Sequence, residues 1–157
     1  MSLKSLRLLA VLLAALAMGM HLAHAFELWP KRQWPPELYL AVQSSLYKLF
    51  GTVGPVLEVG GLIAVSVLGW RVRERGTVAR LTFASAGAIA LALLTWAAFV
   101  LPANMHLGAW QATGTIPADW MRWRDQWQFA QAFIFVLHLG GFSMLVWSIA
   151  GEPPEHR

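Results

Sequence analysis

The sequence predicts an all-α protein: an antiparallel bundle of four transmembrane helices, forming a single membrane domain over residues 1–157. Three observations carry that expectation. Hydrophobic residues make up 57% of the chain and charged residues 13%, including nine Trp, which is the composition of a membrane protein rather than of a water-soluble domain. The apolar residues gather into four runs, three of them near the ~20 residues that a ~30 Å hydrocarbon core requires. Lys and Arg are spread unevenly over the connections between those runs. Backbone groups have no water partner in lipid, so each run must be helical.

In chain order, the spans are expected at about 5–28, 52–70, 79–101 and 128–150. The first is built on Leu8 to Met20 and extends through HLAHAF to Leu28. Lys4 and Arg7 before this run and Ala23-His24-Ala25 after it also match the layout of a cleavable signal peptide. His21 and His24 are odd choices for a discarded segment, so the span is expected to be retained. Next, residues 36–50 place Leu38, Tyr39, Val42, Leu46, Leu49 and Phe50 at helical spacing, with Pro36 and Glu37 suited to a first turn. This reads as a short amphipathic helix in the first outer loop, lying on the membrane surface or over the bundle mouth. Gly51 and Gly54-Pro55 should bend the chain into the second span, Val53 to Trp70. The third span is Leu81 to Leu101 and the fourth Phe129 to Ala150. Between them, Trp110, Trp120, Trp123 and Trp127 surround Pro117. They read first as an interfacial aromatic belt and second as a lid over a pocket.

Of the 12 basic residues, seven (Lys4, Arg7, Arg71, Arg73, Arg75, Arg80 and Arg157) fall on one side and five on the other. The seven sit close to span ends, which places both termini in the cytoplasm, in a bacterial inner membrane. The connections near 29–50 and 102–127 then face outward. The absence of Cys excludes disulfides, thiolate metal sites and cysteine nucleophiles. No basic run is interleaved with aromatics, which argues against nucleic-acid binding.

Polar groups that are costly in a bilayer mark cavities, relays or sites, and here they collect at one level. His21 and His24 are three apart and share a helix face that Glu27 continues, within about 10 Å of the outer end of that span. Glu58 enters from the same end of the second span, Asn104 and His106 lie just beyond the third, and Gln128 and Gln131 open the fourth. Tyr47, Trp110, Trp120 and Trp127 complete the expected ligand-binding set. A carboxylic acid beside an imidazole is equipment for proton transfer. A metal reading would use His21, His24, Glu58 and His106 to hold iron, zinc or copper, with Met18, Met20 and Met105 nearby for copper. A haem reading would need His138, but the chain has no haem attachment motif. The favoured reading is a pocket without a cofactor that binds a small apolar or aromatic molecule. Interhelical hydrogen bonding explains His138 adequately, whereas His24 with Glu58 points to function.

HAFELWPKR, YLAVQSSLY, Glu58, LPAN and DWMRWRDQW together resemble the anthrone-oxygenase-like family of small four-helix membrane proteins, over roughly residues 20–135. The resemblance implies a four-helix bundle and singles out His24, Glu58, Asn104, Trp120, Arg124 and Trp127. Where the family pattern carries Glu and, three residues later, His, this chain has Gln128 and Gln131. The family's named activity is oxidation of an activated aromatic ketone by dioxygen without a dedicated cofactor. Carried over, it makes His24 the base, with Glu58 setting its tautomer and Asn104 or His106 steadying the substrate oxygen. Arg124 would neutralise a developing oxyanion at the mouth or snorkel. The alternative is an accessory subunit of a larger membrane complex, or a homo-oligomer, with Gly60, Gly61, Gly140 and Gly141 permitting close helix approach.

Overall fold

All four apolar runs fold as helices that pack in a ring. The computed structural model describes residues 1–151. Its elements are α1 (Leu3–Phe26), α2 (Leu28–Arg32), α3 (Pro36–Leu46), α4 (Lys48–Arg71), α5 (Thr77–Thr95), a π-helical turn (Trp96–Val100), α6 (Leu101–Thr113) and α7 (Trp120–Ala150). Among the described residues, four helical segments are long and apolar enough to cross a membrane: Leu3–Phe26, Leu49–Arg71, Thr77–Thr113 and Trp120–Ala150. The chain is therefore an all-α membrane protein. Arg157, which entered the charge count, lies outside the described residues.

Local chemistry explains most boundaries. The Ser2 hydroxyl caps α1 by accepting from the Ser5 N–H at 3.1 Å. Pro36 occupies the first turn of α3, where its missing N–H costs nothing. Gly114, at φ 68, ends α6 in the left-handed conformation that favours glycine. The expected single helix over 36–50 is divided at Tyr47, which stands outside both α3 and α4. The third span also differs from expectation. The helix continues past Leu101 to Thr113, so Asn104 and His106 sit on α6 rather than in a loop. Pro102 has no N–H to donate to Ala98, which would interrupt an α-helical ladder. The widened turn accommodates it, with the Leu101 N–H reaching back to the Trp96 carbonyl. Nearby, the Gln126 side chain donates to the Phe99 carbonyl at 2.9 Å.

Each long helix packs against two others: α1 against α4 and α7, and α5 against the same two. One end of the ring is filled by small and aliphatic side chains, among them Leu6, Ala10, Ala14, Val65, Leu68 and Leu145. Toward the other end a second cluster holds Ala92, Val100, Ala103, Trp127, Ala130 and Ile134. Beyond it, Tyr39, Leu107, Trp110 and Trp120 form a third. Large apolar residues such as Leu16, Val56, Ile63, Leu94 and Val136 are exposed on the outside of the ring, as lipid contact requires. Of the four glycines expected to allow close approach, three lie at helix contacts. A Cβ on Gly60 or Gly61 would meet Leu13 at 3.6 or 3.7 Å, and one on Gly141 would meet the Ala88 Cβ at 3.2 Å and the Ser85 carbonyl at 3.4 Å. Nothing lies within 4 Å of a Cβ at Gly140.

The α5–α7 contact at Gly141 is therefore close, and a side chain there would press on Ala88 and the Ser85 carbonyl. Gly141→Leu should force the two helices apart and destabilise the bundle by about 1–3 kcal/mol, read as a lower thermal unfolding midpoint in detergent. Gly140→Leu should leave that midpoint close to wild type.

Candidate functional site

Helical spacing on α1 brings His21, His24 and the following Glu27 to the same side of the bundle, and the neighbouring helices answer each of them. His21 Nδ1 lies 2.7 Å from Gln131 Oε1 on α7, and its Nε2 lies 2.9 Å from Glu58 Oε1 on α4. With the Gln131 carbonyl oxygen assigned toward the ring, Nδ1 must carry a hydrogen, because that oxygen can only accept. One proton is then shared between His21 Nε2 and Glu58, and the pair is neutral overall whether it exists as acid and imidazole or as carboxylate and imidazolium. His138 stacks on His21 with ring centroids 4.9 Å apart and 14° between the planes. The expected pairing of Glu58 with His24 is thus replaced by Glu58 with His21. The physical reason is depth: His21 lies almost a full turn further into the bundle, level with Glu58 and Gln131.

His24 belongs to a separate network nearer the α3 end. Its Nδ1 faces Glu27 Oε2 at 3.4 Å, and its ring packs against Tyr47, Phe50 and Trp127 at centroid distances of 4.9, 4.9 and 5.0 Å. Among the described residues its Nε2 has no hydrogen-bond partner. Glu27 also binds Lys31 Nζ at 2.7 Å and accepts from the Tyr47 hydroxyl. Lys31 is only 1% exposed and is fully occupied. It donates to Gln43 Oε1 at 3.0 Å and Tyr47 Oη at 2.8 Å, and it lies 4.0 Å from the Tyr47 ring centroid. Burial alone would raise the Glu27 carboxyl. Hydrogen bonds from His24, Lys31 and Tyr47, with the charge of Lys31, outweigh it and hold the group at about 2. Burial pulls Lys31 down and Tyr47 up, so the phenol stays a donor.

These two networks share the wall of a cavity of about 410 Å³, lined by His21, His24, Tyr47, Glu58, Asn104, Trp127 and Gln131 among others. That volume suits a small ligand. The Trp127 indole N–H donates to Asn104 Oδ1 at 2.8 Å, which fixes the amide and leaves its NH₂ as a free donor. Other expected residues stand elsewhere. His106 is exposed on α6 and stacks on Trp123 at 3.8 Å. Arg124 is buried, donating to the Arg32 carbonyl at 2.8 Å and to Asp125 at 2.9 Å, so it ties α7 to α2. Trp110 and Trp120 belong to the apolar cluster around Tyr39. Gln128 is fully buried near the Tyr39 hydroxyl, and among the described residues neither amide atom makes a hydrogen bond of good geometry.

Lys31, Gln43 and Phe50 were not expected at the site. Only Lys31 had a legible signal, lying four residues after Glu27 on a continuing helical path. Comparisons with protein-family models, curated proteins and solved structures find no match.

Glu27→Gln removes the counter-ion of a buried lysine, and it should lower stability by roughly 1–3 kcal/mol at neutral pH. The sign with pH follows from linkage. Glu27 titrates at about 2 in the folded chain against 4.5 unperturbed, so its stabilisation is complete above pH 4.5 and lost as pH falls toward 2. Thermal midpoints of wild type and variant should therefore differ at pH 7 and converge in that acid range.

Proposed function

We propose that this membrane protein binds a small aromatic molecule bearing an acidic C–H or O–H in the shared cavity, and that His24 takes its proton. The observation that carries this reading is the state of His24. Glu27 accepts from Nδ1–H, which leaves the Nε2 lone pair unbonded at the wall of a 410 Å³ cavity. An imidazole oriented on one nitrogen by a carboxylate, and free on the other, is arranged for general-base work. Once protonated, His24 is stabilised by the same carboxylate.

The rest of the cavity supports the same chemistry. Tyr47, Phe50, Trp96 and Trp127 supply apolar and aromatic walls for a flat ligand. The free NH₂ of Asn104, held by Trp127, can donate to an oxygen that gains negative charge as the proton leaves. In this reading the same end of the bundle faces outward from a bacterial inner membrane, with both termini inside, an orientation supported by the unequal charge of the connections. Because α1 contributes His21 and His24 to the cavity, the proposal requires that the first span be retained.

The resemblance to anthrone oxygenases extends the proposal to a reaction. A CH₂ group between aromatic rings, conjugated to a carbonyl, loses one proton to His24 Nε2 and becomes an enolate. Dioxygen adds to that carbon, and loss of its second hydrogen with cleavage of the O–O bond leaves a new carbonyl and water. The substrate supplies four electrons and dioxygen accepts them, so the route draws on no further reductant. Exclusion of bulk water by the bound ligand would keep the enolate from taking its proton back from solvent before dioxygen adds.

With anthrone as probe, the full chain in lipid vesicles should consume dioxygen and form the quinone faster than empty vesicles. His24→Ala should reduce the rate by about 10²–10⁴-fold, and Asn104→Ala by about 10²-fold, with helical content unchanged. Wild-type turnover in His24→Ala would remove it as the base. No acceleration by the wild type would remove the oxygenase reading, and quenching of tryptophan fluorescence by anthrone, diminished in Trp127→Phe, would then test binding alone.

A further inference from the structure

We infer that His21, Glu58 and His138 form a binding site for one divalent first-row transition-metal ion, of the class of Fe(II) or Zn(II), on the inner side of the cavity. Each offers one ligand atom, and these atoms all lie within 4.8 Å of one another. All three residues are buried, at 4%, 7% and 2% exposure. Two imidazoles and one carboxylate are a donor set for iron or zinc that leaves coordination positions open.

A second observation separates this cluster from a simple hydrogen-bond contact. His138 Nε2 is buried and, among the described residues, has no hydrogen-bond partner. Such a group is costly unless something unseen in the protein's own bonding satisfies it. Its ring stacks nearly parallel on His21 at 4.9 Å, so a nitrogen of each can turn onto one ion. Ligand bonds of about 2.0–2.2 Å require only a modest contraction of the cluster. Gln131 supplies the outer support, because its carbonyl accepts from His21 Nδ1–H and leaves Nε2 as the ligand nitrogen. The ion takes the place of the proton that His21 and Glu58 otherwise share. Because His21 and Glu58 line the cavity, the open positions face the space where a small molecule binds.

This set differs from the one expected from sequence, which used His24 and His106 in place of His138. His106 is exposed on α6, and His24 is engaged with Glu27 and three aromatic rings. The inference stands on this cluster and not on the role of His24, and its test contains no organic ligand. A failed titration therefore leaves the general-base proposal untouched.

The probe is Co(II) alone, titrated into full-length protein that has been purified in mild detergent and stripped with chelator. Visible d–d absorption should saturate at one ion per chain, and X-ray absorption should show two imidazole ligands. His138→Ala and His21→Ala should weaken binding by at least ~100-fold, and Gln131→Ala by roughly 10–100-fold. His24→Ala and His106→Ala should retain the wild-type spectrum. His138→Gln, closer in volume, replaces His138→Ala if the latter does not fold. Three results overturn the inference: no binding by the wild type at micromolar Co(II), wild-type affinity in a folded His138 variant, or loss of the spectrum in His106→Ala.

Discussion

The structure depends on one imidazole having both nitrogens bonded to different helices. His21 reaches Glu58 on α4 through Nε2 and Gln131 on α7 through Nδ1, and so joins three of the four long helices at one depth. In a bilayer there is no hydrophobic force between helices, since lipid tails are as apolar as leucine. Position must then come from close packing and from interhelical hydrogen bonds. The tight glycine contact of α7 with α5 brings the fourth helix into the same frame. Without a level fixed by His21, α1 could slide along its neighbours with little change in apolar contact, because its inner face is largely alanine (Ala10, Ala14 and Ala17).

The outer network solves a different problem, that of holding irregular chain above the bundle. Lys31 is placed where α2 ends, and three groups converge on it: Glu27 from the end of α1, Gln43 from α3 and Tyr47 from the α3–α4 joint. Arg124 anchors the same short helix from α7 by its bond to the Arg32 carbonyl. The roof of the cavity is therefore tied by charged groups that find complete sets of partners. A buried ammonium is tolerable only on that condition.

How much of this was legible in the sequence follows from the range of each interaction. The four spans were readable because composition and length act locally, within the ~20 residues a membrane demands. The meeting of His21, His24, Glu58, Asn104, Trp127 and Gln131 around one cavity was readable because all lie at similar depth in their spans. Depth can be counted along a helix, but rotation and exact height against a neighbour cannot. That is why Glu58 was matched to His24, although the structure matches it to His21. The same limit made His138 read as an interhelical hydrogen-bonding group, whereas it stacks on His21 and, among the described residues, its Nε2 has no hydrogen-bond partner. It also misplaced Asn104 and His106, because the π turn before Pro102 carries the helix on where a proline normally suggests an end. Arg124 is the reverse case. An arginine near a pocket mouth reads as an anion clamp, but its guanidinium is spent on a backbone carbonyl and its neighbour Asp125.

The two histidines of α1 show how one helix face can hold distinct chemistries side by side. His24 and His21 are three residues apart, with ring centroids at 6.4 Å, and both line the cavity. Their partners differ in what they leave free. Glu27 is held as a carboxylate by Lys31 and Tyr47, so it engages one nitrogen of His24 and leaves the other bare. Around His21 both nitrogens are taken, one by an amide and one by a carboxyl that shares its proton. A base needs an unoccupied lone pair, a requirement that the proposed base, His24, meets. A ligand nitrogen needs its partner nitrogen fixed by an acceptor and an exchangeable proton on its own side, requirements that the proposed ligand, His21, meets. The division follows from the second layer of groups, Lys31 and Gln131, rather than from the histidines themselves.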